Sequence, residues 1–296
     1  MRAAAIFGLG CSPKALLPFQ KDHTIEWRIG MPAPDDGVNI VLIFGGDGTL
    51  HRHLAQLVKL AAPVLVVPAG SGNDFASSLG LRRIPDSLEA WEMFRSGVKI
   101  ARPIDLGTIT PLDTSGAPAT GGLRYFCCVA GVGLDGEVAR RANAMPRWLR
   151  GHGGYFLSLL PTIFTFSPSR MTIGYVTQSG ESQWKPLGSK RILVAAFANT
   201  PLYGGGMRVA PQAEMDDGLL DVCIVDALNP AKLSILFPTV YVGKHLAMRE
   251  VQYFKTARAR VETEDPLDVY ADGEYVCQTP VEFSIVKAAL KVLSIP

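Results

Sequence analysis

The chain has 296 residues, of which 48% are hydrophobic and 19% charged, so it can fill a substantial core and is neither disordered nor of low complexity. Its 30 glycines and 21 prolines exclude a coiled coil or a long helical bundle and predict many short elements. The formal net charge of +2 is too small for nucleic acid to be a bulk electrostatic partner. Any anion that the chain binds must therefore be held by local groups.

Cysteine content and hydropathy bear on the location of the protein. The five cysteines are an odd number without a Cys-x-x-Cys pair, which predicts reduced thiols in a cytoplasmic protein. On a continuous strand, the neighbours Cys127 and Cys128 would point to opposite faces. The apolar run at residues 3–9 is too short for a secretory signal. The longest uncharged apolar stretch, residues 151–169, is interrupted and too short for a membrane span.

The first hundred residues alternate short apolar runs with helical patterns. The runs at residues 3–9, 40–44 and 64–67 are typical of parallel strands that are covered on both faces. Residues 50–60 and 86–95 carry apolar side chains at helical spacing. This alternation predicts a doubly wound α/β domain.

The pattern changes near Pro103, after which strand-like runs are separated by clusters of Gly, Pro, Asn and Asp. A mainly β second domain is therefore predicted. Two helical insertions are expected within it, at residues 134–144 and around residues 154–165. The predicted strands lie at residues 123–132, 171–177, 192–198, 219–225, 257–262 and 281–286.

A glycine-rich segment, residues 45–49, directly follows one predicted strand and precedes a helix predicted to begin near Leu50. Glycine lets a ligand approach the backbone closely, and N–H groups at a helix N-terminus attract phosphate. A plain strand-to-helix turn capped by Thr49 is the alternative interpretation. The segment is not a Walker loop, and the carboxylate of Asp47 would repel phosphate unless a cation such as Mg²⁺ intervened.

A second glycine loop, Pro-Ala-Gly-Ser-Gly-Asn-Asp-Phe-Ala at residues 68–76, follows the next predicted strand. In a doubly wound sheet, both loops would lie at the edge where ligands bind, because the carboxyl ends of parallel strands meet there. Two such loops indicate a phosphate site more strongly than either loop alone.

Together with three further motifs, these loops resemble the diacylglycerol kinase catalytic family, the lipid-kinase branch of the superfamily that also includes NAD kinases and phosphofructokinases. The further motifs are Ile-Asp-Leu-Gly at 104–107, Gly-Val-Gly-Leu-Asp at 131–135 and Ala-Asp-Gly-Glu at 271–274. All occur in the family's order across residues 45–274. The Gly-Asn-Asp-Phe-Ala segment points to lipid kinases rather than to the other branches.

The resemblance implies two domains with the active site in the cleft between them. Residues 1–103 with 285–296 would form a Rossmann-like, three-layer nucleotide-binding domain. Residues 104–284 would form a β-sandwich-like domain for the lipid substrate and magnesium. The implied cofactors are ATP and Mg²⁺, and the implied partner is a lipid at a membrane surface. Nucleic acid is not expected, and a homodimer is left open.

The resemblance assigns the catalytic roles to the last motif. Asp272 matches the family's base, which receives the proton of the acceptor hydroxyl, and Glu274 matches a second acidic residue of the site. From the residues alone, positions 269–276 favour a plain β-hairpin with an Asp-Gly turn.

Around the nucleotide, the resemblance implies a set of contacts from the two loops and one strand end. On its own, Asp105 reads as a polar residue at the end of a strand. His51 stands where the family commonly has Asn, and His51 and His53 diverge too far on a helix to share a metal. The matched residues are Gly45, Gly46, Asp47, Gly48, Thr49, Leu50, His51, Ser71, Gly72, Asn73, Asp74 and Asp105.

The resemblance also implies a magnesium site in the second domain. Glu214, Asp217 and the carbonyl of Leu219 match the family's ligands, and oxygen ligands clustered at a turn suit a hard cation. By sequence alone, residues 214–221 are better interpreted as an acidic turn that opens the following strand.

Three further features carry alternatives. Residues 7–13 depart from the Asn-Pro-x-Ser-Gly segment that usually ends the family's first strand. Asp135 is either a helix cap or a site residue. An arginine cluster before the apolar residues 155–166 fits attachment to an anionic bilayer, or a surface cluster beside a core helix. Its members are Arg140, Arg141, Arg147 and Arg150.

The expected function is an ATP-dependent lipid kinase that transfers the γ-phosphate to a lipid hydroxyl, with diacylglycerol as the family's default acceptor. Sphingoid bases, ceramide and phosphatidylglycerol stay open, because the shape of the pocket decides the acceptor. The alternatives are a NAD kinase-like enzyme and a catalytically silent lipid-binding protein of the same fold. A cytoplasmic protein that visits the membrane would need no membrane span.

Overall fold

The computed structural model describes residues 1–144, 161–178 and 183–295. The α-helices with described bounds are α1 Asp47–Leu60, α2 Asp74–Ser78, α3 Ile84–Arg95, α4 Leu134–Ala144 and α5 Pro230–Val240. The strands are β1 Arg2–Phe7, β2 Glu26–Ile29, β3 Ile40–Gly45, β4 Val64–Pro68, β5 Ala101–Pro111, β6 Arg124–Phe126, β7 Val129–Gly133, β8 Ser169–Val176, β9 Lys185–Ala198, β10 Leu220–Asp226, β11 Val251–Thr256, β12 Arg258–Thr263, β13 Asp268–Ala271, β14 Glu274–Gln278 and β15 Val281–Leu293.

The N-terminal strands form a parallel sheet in the order β2-β1-β3-β4. Every residue of β3 and β4 is buried, which explains why both strands are continuous apolar runs. Helix α1 packs on β3, and α3 packs on β4, where the Ser87 hydroxyl donates to the carbonyl of Val66. The predicted alternation of strands and helices is confirmed in this region.

Most of the remaining strands pair antiparallel, in the order β14-β13-β7-β9-β8-β12-β15, with β10 beside β9 and β11 beside β10. Their inner faces enclose a second core, in which the rings of Phe197 and Phe283 stack with centroids 4.0 Å apart. The prediction of a mainly β region after Pro103 is confirmed.

Strand β15 joins the two sheets. It pairs antiparallel with β5 from Val281 to Leu293 and with β12 over its first four residues, and near its end Val292 pairs with Val64 of β4 in parallel. The register shifts between Val286 and Leu290, where Ala288 has a φ of +51°. The strand continues seven residues past the predicted 281–286, because it serves both sheets. The assignment of domain boundaries stays a prediction.

Two local predictions need correction. Helix α1 begins at Asp47 with Gly46 as its N-cap, so Thr49 lies in the first turn and is not the cap. The predicted strand 123–132 is broken between β6 and β7, and the sulfurs of Cys127 and Cys128 lie 3.9 Å apart. These two side chains therefore do not occupy opposite faces.

All five cysteines lie in the described ranges and are free thiols. Helix α4 begins at the predicted Leu134 and is described as far as Ala144. Of the segment around residues 154–165 only residues 161–165 are described, and they are helical. Among the described residues, no helix is long and apolar enough to cross a membrane.

Candidate active site

The two glycine loops meet backbone to backbone at the carboxyl ends of β3 and β4. A Cβ atom added to Gly70 would lie 2.5 Å from Cα of Gly46, and one added to Gly46 would lie 3.0 Å from Cα of Gly70. The amide of Ala69 also donates to the carbonyl of Gly45 at 3.2 Å. Side chains at these two glycines would force the loops apart, so glycine is needed for this approach.

Asp47 ties the first loop to the second. Its carboxylate accepts hydrogen bonds from the backbone amides of Asp74, at 3.0 Å, and Phe75, at 3.1 Å. The pKa of Asp47 is raised to about 7, mainly because the carboxylate is shielded from water and also because the negative charge of Asp74 lies nearby. The site therefore concentrates negative charge that a bound cation would relieve.

Asp74 reaches across to a third glycine segment, residues 204–206, that the sequence analysis did not identify. Its carboxylate accepts from the amides of Gly205 and Gly206, each at 2.8 Å. Burial raises the pKa of Asp74. Residues 204–206 all have positive φ, so a run of three glycines is the sequence signal that could have revealed this segment.

Asn73 shapes the second loop from within. Its φ of +53° is left-handed, a conformation that Asn tolerates better than most residues. The side-chain oxygen accepts from the amide of Gly70 at 2.9 Å, and the side-chain nitrogen donates to the Gly70 carbonyl at 2.8 Å. These bonds hold the loop in a tight turn and leave Ser71 exposed at its tip.

These loops line a cleft of about 370 Å³. Nine of the residues matched from the sequence line it: Gly45, Gly46, Asp47, Gly48, Thr49, Ser71, Gly72, Asp74 and Asp272. Lining residues that the sequence analysis did not assign to the site are Leu9, Cys11, Arg52, Ala69, Gly70, Cys128, Tyr203, Gly204, Gly205 and Gly273.

Five of the matched nucleotide and catalytic residues do not line this cleft: Leu50, His51, Asn73, Asp105 and Glu274. The side chain of Leu50 is fully buried in the larger core. The carboxylate of Asp105 accepts from the amides of Gly218 and Ala288, both at 2.7 Å. Asp105 thus joins β5 to the turn before β10 and to the irregular part of β15, a structural role that the sequence does not show.

Asp272 occupies the turn of the hairpin formed by β13 and β14. Asp272 and Gly273 have φ values of +51° and +83°, as expected for a tight Asp-Gly hairpin turn. The turn places the Asp272 side chain, which is fully buried, against the break between β6 and β7. The hairpin interpretation is therefore correct, and the same turn brings Asp272 to the cleft.

The carboxylate of Asp272 is surrounded by donors. Oδ1 accepts from the amides of Cys128, at 2.8 Å, and Val129, at 3.3 Å, while Oδ2 accepts from the amide of Cys127 at 2.9 Å. These contacts explain the break in the strand, because the three amides turn toward the carboxylate.

His51 and Glu274 complete this corner of the site. Nδ1 of His51 lies 2.9 Å from Oδ2 of Asp272. Burial lowers the pKa of His51, but the hydrogen bond and charge of Asp272 outweigh it, so the pKa is raised overall. Oε1 of Glu274 pairs with Nη1 of Arg52 at 3.5 Å and lies beside Gly48, where an added Cβ would be 2.8 Å from it.

The two thiols beside Asp272 are poor metal ligands. Cys127, Cys128 and Asp272 lie close enough for their ligand atoms to share an ion. However, burial raises the pKa of Cys127 well above its usual range and that of Cys128 to about 12. Both remain protonated, and metals bind the thiolate.

The predicted magnesium ligands lie together in the turn before β10. Oδ1 of Asp217 accepts from the amide of Leu219 at 2.9 Å, and Oδ2 contacts Nζ of Lys255 at 2.6 Å. Glu214 is exposed in the same turn. Nearby, Oδ2 of Asp221 is buried without a hydrogen bond among the described residues, and burial raises the pKa of Asp221 to about 6. The magnesium assignment stays a prediction.

A separate cavity of about 100 Å³ adjoins the cleft through Tyr203, which lines both. The hydroxyl of Tyr203 donates to Oδ2 of Asp135 in the first turn of α4, at 3.3 Å. The other residues that line the cavity are mostly apolar: Val129, Leu134, Val138, Leu193, Val194, Ala196, Met207, Val209, Cys223, Val225, Leu233, Leu236, Phe237, Val240 and His245.

Only part of the arginine cluster is described. Arg140 and Arg141 both contact Glu137 within α4, with distances of 2.7 Å, so their charges are partly balanced on the helix itself. Arg147, Arg150 and residues 155–160 lie outside the described residues.

Two family models match the chain. The diacylglycerol kinase catalytic domain matches residues 26–109, and the YegS C-terminal NAD kinase beta sandwich-like domain matches residues 128–294. The second match alone spans more than half of the chain. A curated diacylglycerol kinase from Mycobacterium tuberculosis (strain CDC 1551 / Oshkosh) is 36% identical over 259 residues, which cover 87% of this chain and 77% of the relative.

Solved structures share the fold. A diacylglycerol kinase from Bacillus anthracis str. Sterne has a TM-score of 0.66 at 17% identity, over 100% of this chain and 97% of that one. An NAD kinase from Archaeoglobus fulgidus in complex with ATP has a TM-score of 0.54 at 12% identity, over 100% and 94%. With the second family match, these structures confirm the predicted fold class of an α/β region followed by a β-sandwich-like domain.

Proposed function

This chain belongs to the diacylglycerol kinase family, and we propose that it is an ATP-dependent lipid kinase that phosphorylates the hydroxyl of diacylglycerol or a related lipid. The observation that carries the proposal is that two unlike cavities, a polar glycine-lined cleft and an apolar cavity, share the lining residue Tyr203. The first suits a phosphate donor and the second suits hydrocarbon, and a lipid kinase must bind both.

The glycine loops support a phosphate site in the cleft. The N-terminal turn of α1 opens into it through Asp47 and Gly48, and the positive end of a helix dipole stabilises bound anions. Gly46 and Gly70 keep the two loops in contact, which shapes the floor on which the phosphates would lie.

The carboxylates of the cleft fit a magnesium cofactor. Asp74 is buried and Asp47 is half-buried, and both have raised pKa values, so both carboxylates gain from a divalent cation at pH 7 and above. In phosphoryl transfer, Mg²⁺ neutralises charge on the nucleotide phosphates. A second ion would be held in the turn before β10 by Glu214, Asp217 and the carbonyl of Leu219, where the buried Oδ2 of the neighbouring Asp221 has no hydrogen bond among the described residues and only the Lys255 ammonium, 3.9 Å away, balances its charge.

The acceptor hydroxyl would enter where the cleft meets the apolar cavity, and Asp272 would receive its proton. Asp272 lines the cleft, and its turn is fixed by the hairpin and by the amides of residues 127–129. An acceptor of this kind resides in a membrane, so the enzyme would work at a bilayer surface.

The test offers labelled ATP and Mg²⁺ to the wild type with a panel of lipids in mixed micelles, and with NAD in a parallel assay. We expect label on a lipid and none on NAD. Transfer to NAD alone would establish the NAD kinase-like alternative. Transfer to no acceptor would favour a lipid-binding protein without activity.

The role of Asp272 is tested in the same assay with Asp272→Asn. We expect kcat to fall by about 10²–10⁴-fold, the usual contribution of a positioned proton acceptor. The matched control is Asp268→Asn on the same hairpin, whose carboxylate contacts only the Gln278 side chain among the bonds described and should leave kcat unchanged. In Asp272→Asn, the side-chain NH2 group would face backbone N–H donors that the carboxylate accepts from in the wild type. Thermal unfolding must therefore show that this variant still folds. Undiminished transfer by a folded Asp272→Asn would refute the role.

A further inference from the structure

His51 brings a second titratable group into direct contact with the hairpin carboxylate. Its Nδ1 is 2.9 Å from Oδ2 of Asp272, and its side chain is 14% exposed while that of Asp272 is fully buried. Because α1 and the β13–β14 hairpin are 221 residues apart in the chain, this contact exists only in the folded protein.

The carboxylate of Asp272 is crowded by hydrogen-bond partners. A carboxylate offers about four acceptor sites, and five groups surround this one: the amides of Cys127, Cys128 and Val129, the thiol of Cys127 and Nδ1 of His51. A proton that binds to Asp272 must therefore displace one of these contacts.

The proton content of the pair therefore depends on His51. With a neutral imidazole that donates from Nδ1, the pair carries one negative charge and can take up one proton. With an imidazolium, the pair is already neutral. The charged groups whose fields reach His51 are Asp272 and Glu274, which favour its protonation, and Arg52, which opposes it. The adjacent thiols of Cys127 and Cys128 are protonated and add no charge.

Resting on the proposed kinase activity, we propose that His51 and Asp272 form one proton-accepting dyad, in which His51 is the positioning residue that orients Asp272 and sets its proton content. As the bond forms between the acceptor oxygen and the γ-phosphorus, the bond from that phosphorus to the bridging oxygen of ADP breaks. The proton of the acceptor hydroxyl passes to Oδ1 of Asp272, while the neutral ring of His51 keeps its Nδ1–H bond to Oδ2. This bond holds the carboxylate in position as it takes up the proton.

The first experiment measures kcat against pH for the wild type, His51→Asn and His51→Leu. In the wild type, kcat should rise with pH through a pKa above 6.5, because only the neutral form of His51 leaves the dyad able to accept a proton. An Asn side chain can still donate to Asp272 but does not titrate. His51→Asn should therefore keep kcat within about tenfold of the wild type and lose the rise of kcat with pH, which is the acid limb of the profile. A Leu side chain cannot donate a hydrogen bond, so His51→Leu should lower kcat about 100-fold, with little change in the KM for ATP or the KM for the lipid.

The matched control is His53→Asn on the same helix, since the ring of His53 contacts Gln56 and not the hairpin. It should keep the wild-type pH profile. The inference is wrong if His51→Asn retains the acid limb, or if a folded His51→Leu keeps the wild-type kcat.

A second measurement separates this inference from the proposed function. NMR titration of the His51 ring should give a pKa above 6.5 in the wild type and a lower one in Asp272→Asn. If the wild type phosphorylates no lipid at any pH, the proposed function fails, and the titration still decides the pairing. A His51 pKa that Asp272→Asn leaves unmoved would overturn the dyad.

Discussion

The cleft has two walls: a loop wall, formed by residues 45–49 and 69–74 beside the parallel sheet, and a hairpin wall, formed by the turn at Asp272 and Gly273. The contacts that hold these walls differ in how far apart their partners lie in the sequence. In the wall from the parallel sheet, Asn73 bonds to Gly70 three residues away, and Asp47 bonds to Phe75 only 28 residues away. In the opposite wall, the Asp272 carboxylate bonds to the amide of Cys127, 145 residues away. The loop wall is therefore encoded by short sequence motifs, whereas the hairpin wall forms only when distant parts of the chain come together in the fold.

This difference predicts different responses to mutation. The loop wall depends on the absence of side chains at two close backbones, so it should fail on small steric changes. The hairpin wall depends on a carboxylate and its donors, and the apolar cavity that shares Tyr203 with the cleft depends on open volume.

The largest effect that we expect on the loop wall comes from Gly70→Ala. The new Cβ would lie 2.5 Å from Cα of Gly46, and overpacking of this kind costs about 1–3 kcal/mol. If the loops open to relieve it, ATP binding should weaken by about 10–100-fold. Calorimetric titration with ATP measures this loss. The matched control is Gly174→Ala, where the new Cβ would meet only the Trp184 ring at an ordinary 3.5 Å. Equal ATP affinity in the two variants would contradict the close-approach argument.

A smaller, substrate-selective effect is expected in the apolar cavity from Val240→Trp. Val240 ends α5 and lines the apolar cavity, whereas Ile235 on the same helix is 73% exposed and does not. Val240→Trp should fill part of the cavity and raise the KM for the lipid about tenfold, the cost of about 1.4 kcal/mol of lost binding. Ile235→Trp should leave it unchanged. An unchanged lipid KM in a folded Val240→Trp would show that hydrocarbon binds elsewhere.

The smallest effect is a pH-dependent stabilisation by Mg²⁺. The pKa values of Asp47, about 7, and Asp221, about 6, are raised in the folded state, so without a cation their contribution to stability is lost as pH rises through 6 to 7. Mg²⁺ should therefore raise Tm by a few degrees more at pH 8 than at pH 5.5. Differential scanning fluorimetry at matched ionic strength measures this difference, and Asp47→Asn should reduce it. An equal shift at both pH values would contradict this reasoning.

What the sequence could predict follows the same division. Residues 45–49 and 68–76 were recognisable because turns and helix starts need particular residues locally, and the start of helix α4 at Leu134 was predicted correctly. The hairpin turn at Asp272 was also recognisable, from its Asp-Gly pair.

The remainder depends on partners distant in the chain. Asp105 bonds to Gly218 and Ala288, and no local pattern reveals either partner. The strand break at Cys127 and Cys128 exists because Asp272 draws their amides, so the apolar sequence there predicted a continuous strand. The pairing of Asp74 with residues 204–206 was missed for the same reason.

If the polar cleft binds the phosphate donor and the apolar cavity binds the lipid, each site can be impaired without the other. Initial rates over a grid of ATP and lipid concentrations give the KM for each substrate, and they are measured for Ser71→Glu, Ser71→Gln and Val240→Trp. Ser71 is exposed in the cleft, so Ser71→Glu should repel phosphate and raise the KM for ATP about tenfold, while the neutral Ser71→Gln should not. We expect Ser71→Glu to change only the KM for ATP, and Val240→Trp to change only the KM for the lipid. Both constants moving together in either variant would contradict this expectation.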